Sequence, residues 1–236
     1  MCVHIAIPEP TSSDPAYNQR SLPPYLYDIE IYLNHRGADP LHADCLLGRT
    51  NVKYVIGSGG RESAAVKVVG EIANGSPKPS YLYETRYFVP RAYVAGNSIF
   101  TTSPLETLRR MASPGFDALG NVILAADAAD AGSPAVQGSG AAGQVEITER
   151  QPNTVTLRAA LSRPGYIVLL DRYDSNWHAS LDGREVPVLR ANQLFRAVYS
   201  PAGEHRLRFD YHQKGLLAGA LISALTCIAL AAMFRR

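Results

Sequence analysis

Trp177, Tyr173, Asp182, Asn192 and Arg196 are the residues of this chain whose types and spacing best suit chemistry on a ligand. An exposed aromatic ring beside an amide, an acid and a guanidinium fits a sugar. The ring covers the apolar face of a pyranose and the polar groups bond its hydroxyls. These five are the candidate glycan-binding residues. The same tryptophan can instead anchor a core: Trp177, Ala179 and Leu181 alternate onto one face of a strand, which sets the ring with the inward residues. Asp171, Asp174, His178 and Asp182 are spaced like metal ligands. Residues 171 and 178 differ by an odd number, however, and along a strand they point to opposite faces. They read as solvated loop residues, and no metal is expected. His205 lies beside the turn at Gly203 and reads as a loop hydrogen-bonder, forming a structural motif with Gly165, Gly183 and Gly203. Gly138, Gly140 and Gly143 fit the G-x-G-x-x-G pattern. A dinucleotide site needs a strand before it and a helix after it, and here small residues precede it and an alternating pattern follows. GSGG at 57–60 has no Lys-Ser/Thr after it and reads as a turn. No catalytic residue and no cofactor are expected.

The elements that must position these residues change character along the chain. Residues 1–40 are rich in proline and polar residues and form an irregular N-terminal segment, within which YLYDIEIYL at 25–33 suits a strand or a short helix. Residues 41–125 alternate short helices with strands. Leu41 to Leu47 suits a helix; Val52 to Ile56, 66–72, 80–84, Arg91 to Ala95 and Asn121 to Ala125 suit strands. Ser103-Pro104-Leu105-Glu106 opens a helix, with Ser at the cap, Pro at the first position and Glu three residues on. Residues 126–143, ADAADAGSPAVQGSGAAG, read as a flexible linker or loop.

From Gln144 the pattern becomes β. VEITE and NTVTLRAAL alternate, Tyr166 to Leu170 is wholly apolar, and Asp182-Gly183 is a hairpin signal between Trp177–Leu181 and Glu185–Leu189. In HRLRFDY, Leu207, Phe209 and Tyr211 share one face. The expected class is α+β: a mixed α/β N-terminal unit, a C-terminal antiparallel β-sandwich of jelly-roll type over 144–212, and one C-terminal transmembrane helix with its tail over 213–236.

That last expectation rests on GLLAGALISALTCIALAAMF at 215–234, twenty residues without a charge, closed by Arg235 and Arg236. A helix of that length spans roughly 30 Å, a bilayer's hydrocarbon thickness. Small residues from Gly215 to Ala224 suit contact with other transmembrane helices. The trailing arginines favour a cytoplasmic C-terminus and an extracytoplasmic domain. No export signal opens the chain, so earlier membrane segments are expected to belong to a longer protein.

The chain has 23 basic and 21 acidic residues; without the two terminal arginines the balance is 21 against 21. That excludes the electrostatic footprint of a nucleic-acid binder. Cys2, Cys45 and Cys227 are too few and scattered for a disulfide framework or a zinc site.

The stretch RPGYIVLLDRYDSNWHASLDGREVPVLRANQLFRAVYSPAGEHRLRFDY, followed by the terminal apolar run, resembles the YfhO family of bacterial membrane proteins. The residues that carry the resemblance are Pro164, Gly165, Trp177, Asp182, Gly183, Asn192, Phe195, Arg196, Gly203, Glu204 and His205. NVKYVI at 51–56 and VPRAYV at 89–94 look like weaker upstream motifs of the family, and Ser175-Asn176 stands where the family usually has Pro-Gly. The resemblance implies a polytopic parent similar to glycosyltransferases that use lipid-linked sugar donors. The family's presumed catalytic acid lies in an early extracytoplasmic loop that has no counterpart here. The reading is an extracytoplasmic accessory domain in cell-envelope glycan or glycolipid assembly, at the bacterial cytoplasmic membrane. Membrane lipid, other transmembrane helices and an envelope glycan are its expected partners. The alternative is a non-enzymatic, membrane-anchored interaction or carbohydrate-binding module.

Overall fold

The computed structural model describes residues 5–6, 40–58, 63–72, 79–130 and 132–234. The segment 25–33, Cys2 and Arg235-Arg236 lie outside them. Among the described residues strands take up 48% and form three sheets. The fold is therefore mostly β, which corrects the expected α+β class; the sandwich is the part of that expectation that stands. Local alternation of strands with helical stretches cannot show which strands pair, and here almost every stretch between the helices joins a sheet.

The first sheet joins β1 (Ile5–Ala6), β2 (Tyr54–Ser58), β3 (Val66–Ile72) and β4 (Ser80–Thr85) in the order β1-β2-β4-β3. Helix α1 (Pro40–Arg49) lies against it through Leu47, which packs with Val52, Val55, Val66 and Tyr83.

The central sheet holds β5 (Ala92–Ala95), β6 (Asn97–Thr101), β7 (Asn121–Ala125), β10 (Gly165–Arg172), β13 (Leu189–Ala191) and β14 (Phe195–Ser200), in the order β5-β10-β14-β13-β7-β6. β6 and β7 run parallel and are joined through helix α2 (Pro104–Ala112). The sequence explains that helix. The Ser103 hydroxyl accepts from the Glu106 amide at 3.2 Å, Pro104 sits where its missing N–H costs nothing, and Glu106 pairs with Arg110 one turn on. Its apolar face, Leu108, Met111 and Ala112, covers Ile123 together with Leu46 of α1. The Arg49 guanidinium donates to the carbonyls of Met111, Ser113 and Phe116, satisfying groups that a helix end leaves open.

The third sheet is antiparallel: β8 (Gly143–Gln151), β9 (Thr154–Leu161), β11 (Trp177–Leu181), β12 (Arg184–Val186) and β15 (Gly203–Tyr211), in the order β12-β11-β15-β9-β8. It packs face to face on the central sheet. Ile167, Leu169, Val94 and Val198 meet Leu157, Ala179, Leu207 and Phe209. The opposite face of the central sheet buries Tyr166, Val168 and Leu170 with Tyr93, Leu124 and Ala191. This double burial explains the uninterrupted apolar run at 166–170, since a strand covered on both faces has no polar alternation to show. At the tip of the third sheet Asp182 (φ 52°) and Gly183 (φ 81°) form the two-residue turn between β11 and β12. Both angles are positive, as a type I′ turn requires.

The glycine-rich stretch after the short helix α3 (Asp127–Asp130) runs beside the central sheet. Val136 is buried, its carbonyl accepts from the Ser98 amide at 2.9 Å, and the Tyr166 hydroxyl donates to the Pro134 carbonyl at 2.6 Å.

Helix α4 (Leu216–Met233) follows β15 after four residues. Gly215, at φ 83°, and Phe234 lie outside it, so the helix is 18 residues long. At about 1.5 Å per residue that is roughly 27 Å, short of the hydrocarbon thickness. Among the described residues no helix is long and apolar enough to cross a membrane, and the expected transmembrane helix is corrected accordingly. The uncharged run is longer than the helix it forms.

Candidate functional site

Arg196 occupies the space between the two sandwich sheets, at the end where β11 begins and β15 finishes. Parity explains this placement. Arg196 and Val198 alternate onto the same face of β14, and that face is turned toward the third sheet. Its side chain is 1% exposed. The guanidinium carbon lies 3.8 Å from the centroid of the Trp177 ring and 5.0 Å from that of Phe209. One nitrogen, Nη2, donates to Asp171 Oδ2 at 3.0 Å; Nε and Nη1 are buried and find no acceptor among the described residues. Aromatic faces stand in for those acceptors, and such a contact contributes about 2 kcal/mol when desolvated.

Asp171 receives a second arginine. Arg91 donates from Nε to Oδ1 and from Nη2 to Oδ2, both at 2.7 Å, in a two-pronged bond that fixes the carboxylate plane. Asp171 comes from the end of β10, where the pairing with β14 shifts between Leu169 and Arg172. That irregularity places the carboxylate beside Arg196. Burial pushes the Arg196 guanidinium down to about 10, partly offset by the attraction of Asp171. It therefore stays charged at neutral pH.

A cavity of about 330 Å³ opens on this cluster, lined by Arg91, Asp171, Trp177, Arg150, Gln151 and Pro152 with Val155 at its base. Trp177 is half-buried. It packs on the sandwich core, meets the Tyr211 ring edge-on at 5.1 Å between centroids, and carries Arg196 on a face. Arg91, Arg150 and Asp171 are the charged residues of the cavity's lining.

Of the five candidate glycan residues, the structure brings Trp177 and Arg196 together. The Tyr173 amide donates to the Leu194 carbonyl at 2.7 Å, close in sequence but outside the cavity lining. Asp182 sits at the far end of β11, roughly 17 Å from Trp177 at the rise of a strand. Asn192 is 2% exposed, accepts from the Ile123 amide at 2.9 Å and donates to the Tyr93 hydroxyl at 2.7 Å, within the cluster on the other face of the central sheet. Burial raises the Tyr93 hydroxyl above its ordinary value.

Asp182 builds a second locus. Its Oδ2 lies 2.7 Å from His205 Nδ1 and its Oδ1 accepts from the Arg206 amide at 2.8 Å. The bond with His205, then the one with that amide, holds the Asp182 carboxyl below the usual carboxylate value. An open hollow of about 430 Å³ lies here, lined by Thr148, Arg158, Glu204 and Arg206. The other His205 nitrogen is buried with no partner among the described residues. A Cβ added to Gly203 would lie 3.2 Å from it. The Asp-Gly turn and the Gly-Glu-His turn are thus one latch. Gly165 belongs to a different close approach, beside the Ala95 carbonyl and Ala142. The G-x-G-x-x-G stretch is gripped by Arg163, which donates to the carbonyls of Gly96, Ser139 and Gly140. Among the described residues no group of His, Cys, Asp and Glu is arranged to hold a metal ion.

Arg91 is the site residue that sequence reasoning missed, and Asp171 was read there as a solvated loop residue. A signal for Arg91 existed: a charged residue directly before the apolar strand AYVA.

Residues 141–223 match the family model described as bacterial membrane protein YfhO. The match covers the whole third sheet, β10, β13 and β14 of the central sheet, and the first turns of α4. Arg91 and the motifs at 51–56 and 89–94 lie outside it. No curated protein and no solved structure was found to match.

Proposed function

We propose that this chain, whose residues 141–223 are the C-terminal region of the YfhO family of bacterial membrane proteins, is a non-catalytic accessory domain of a polytopic, glycosyltransferase-like protein. It acts on the extracytoplasmic side in cell-envelope glycan or glycolipid assembly, where it shapes the approach to an active site built elsewhere in its parent. One observation carries this reading: the family motif residues serve the fold. Asp182 holds His205 and Arg206, Asn192 bridges Tyr93 and β7, and Arg196 is locked between Asp171 and Trp177. Residues employed in this way preserve a rigid shape. The family match supports the membrane setting, as do the exposed apolar side chains of α4, Leu221, Ile222 and Leu225 at 64–66%. The alternative, a carbohydrate-binding module built on all five candidate residues, needs Asn192 and Asp182 beside Trp177, and the fold separates them.

The test is turnover. The purified chain, offered a polyprenyl-phosphate-linked sugar and envelope glycan acceptors, is expected to transfer nothing. Transfer above a denatured control would refute the accessory role.

A further inference from the structure

The crossover from β6 through α2 to β7 leaves a cavity of about 230 Å³ at the ends of the two parallel strands. In sheets with such crossovers, ligands bind outside the carboxyl ends of the parallel strands. Strand geometry assembles the walls. Thr101 and Ala125, the last residues of β6 and β7, are register partners. Ile123 lies under α2, and Ala125 shares its face by alternation. β13 runs antiparallel beside β7 with Ala191 opposite Leu124, so Arg190 stands opposite Ala125 and reaches the same cavity. The turn after β13 adds Gln193, and α3 begins with Asp127.

Three of the lining side chains are left open. Among the described residues, the side chains of Thr102, Asp127 and Arg190 form no hydrogen bond or ion pair. Their chemistries are complementary: a guanidinium only donates, a carboxylate only accepts, and a hydroxyl does both. Elsewhere on this protein an arginine pairs with a nearby acid, as Arg110 does with Glu106 and Arg208 with Asp210. Arg190 and Asp127 share the cavity and stay apart. The Thr107 hydroxyl donates to the Ser103 carbonyl at 3.2 Å and keeps its lone pairs for a ligand. Gln193 holds φ 68°, where glycine would be the easier residue, and its side chain belongs to the lining. The start of α2 is already capped by Ser103 and Pro104, so the attraction of the cavity lies in its side chains.

We propose that this cavity binds one sugar ring, an uncharged hexopyranose unit of an envelope glycan. The inference rests on the accessory reading above and names the unit that the domain holds. The ligand must accept from Arg190, donate to Asp127 and do either at Thr102, which a ring of neighbouring hydroxyls does. Arg190 and Asp127 are the charged residues of the lining and sum to zero, which favours an uncharged ligand over an anion. Ile123, Ala125 and Pro104 give the ring's C–H groups an apolar wall. The volume falls below the roughly 300–1,000 Å³ of pockets for drug-sized ligands, so one ring enters and the rest of a glycan chain stays outside. No aromatic residue lines the cavity, so recognition depends on directed hydrogen bonds and distinguishes epimers.

Saturation-transfer NMR tests this on the full chain in dodecylphosphocholine, a detergent without a sugar headgroup. The probes are the methyl glycosides of glucose, galactose, mannose and N-acetylglucosamine, offered singly. At least one is expected to receive saturation from the protein. Arg190→Gln removes the charged donor and should raise that glycoside's apparent Kd roughly tenfold. Thr102→Val, a change of similar size at an exposed residue, should raise it in the same direction. An unchanged urea midpoint shows that each variant keeps the fold. Saturation of none of the four glycosides overturns the sugar site, as does binding that both variants leave untouched. Binding of alanine or inorganic phosphate in place of every glycoside makes the cavity a zwitterion or anion site and overturns it equally. These outcomes are separate from the turnover test. Sugar transfer by the chain refutes the accessory role, whereas a chain that transfers nothing and binds no glycoside loses the sugar site alone.

Discussion

Asp171→Asn is the substitution that most directly probes the lattice at the sandwich end. The carboxylate neutralises two arginines. Arg91 is partly exposed and can turn to water, whereas Arg196 is 1% exposed and has no other hydrogen-bond acceptor among the described residues. An amide keeps the shape but not the charge, leaving a buried guanidinium against two aromatic rings. Breaking one side of a buried ion pair costs about 3–5 kcal/mol, a large share of a domain's stability of roughly 5–15 kcal/mol. For a chain of this size that is a fall in melting temperature of about 6–20 °C. Arg196→Met should behave differently. It removes the buried charge, fills similar volume, and leaves Asp171 with its two-pronged bond to Arg91, so a cost near zero or a small gain is expected. The two changes together should then be less damaging than Asp171→Asn alone, a coupling of about 2–3 kcal/mol. Urea unfolding of the detergent-solubilised chain, followed by Trp177 fluorescence, measures all four corners of this cycle. Comparable urea slopes are required for the midpoints to be read as stability. Additive single and double changes would refute the reasoning, because Arg196 would then not depend on Asp171 for its neutralisation.

Two further outcomes follow from the same geometry. Gly165→Ala would place a methyl group 2.7 Å from the Ala95 carbonyl oxygen and 2.9 Å from the Ala142 Cβ; an overpacking cost of about 1–3 kcal/mol is expected in the same urea titration. The Asp182 carboxyl is held below its ordinary value by His205 and the Arg206 amide, so its contribution to stability is complete above the unfolded value of about 3.9 and is lost as pH falls through the lower folded value. Asp182→Asn should therefore flatten the acid limb of the stability profile below about pH 4, and an unchanged limb in acid unfolding would show that the latch does not titrate with folding.

Local chemistry was readable in the chain by itself. The Ser103 cap with Pro104 and Glu106, the Asp182-Gly183 turn, the strands at 66–72 and 121–125, and the inward parity of Trp177, Ala179 and Leu181 each depend on a few neighbouring residues. A one-dimensional pattern records those fully. The apolar run at 166–170 announced a buried strand, but the sheet that covers each of its faces is set by pairings with residues far along the chain. The candidate site shows the same division. Arg91 and Asp171 are 80 positions apart, Asp171 and Arg196 are 25, and Asn192 meets Tyr93 across 99. Sequence proximity had grouped Asn192 and Asp182 with Trp177, and pleating and pairing sent them to another face and another end. The uncharged run at 215–234 set the character of the last segment, yet the helix spans Leu216–Met233, with Gly215 held outside its start by a positive φ and Phe234 outside its end. Composition and spacing constrain what a residue does to its neighbours in the chain. Which charges meet between two sheets depends on register, where a shift of one residue turns a side chain to the opposite face, and tertiary pairing alone sets that register.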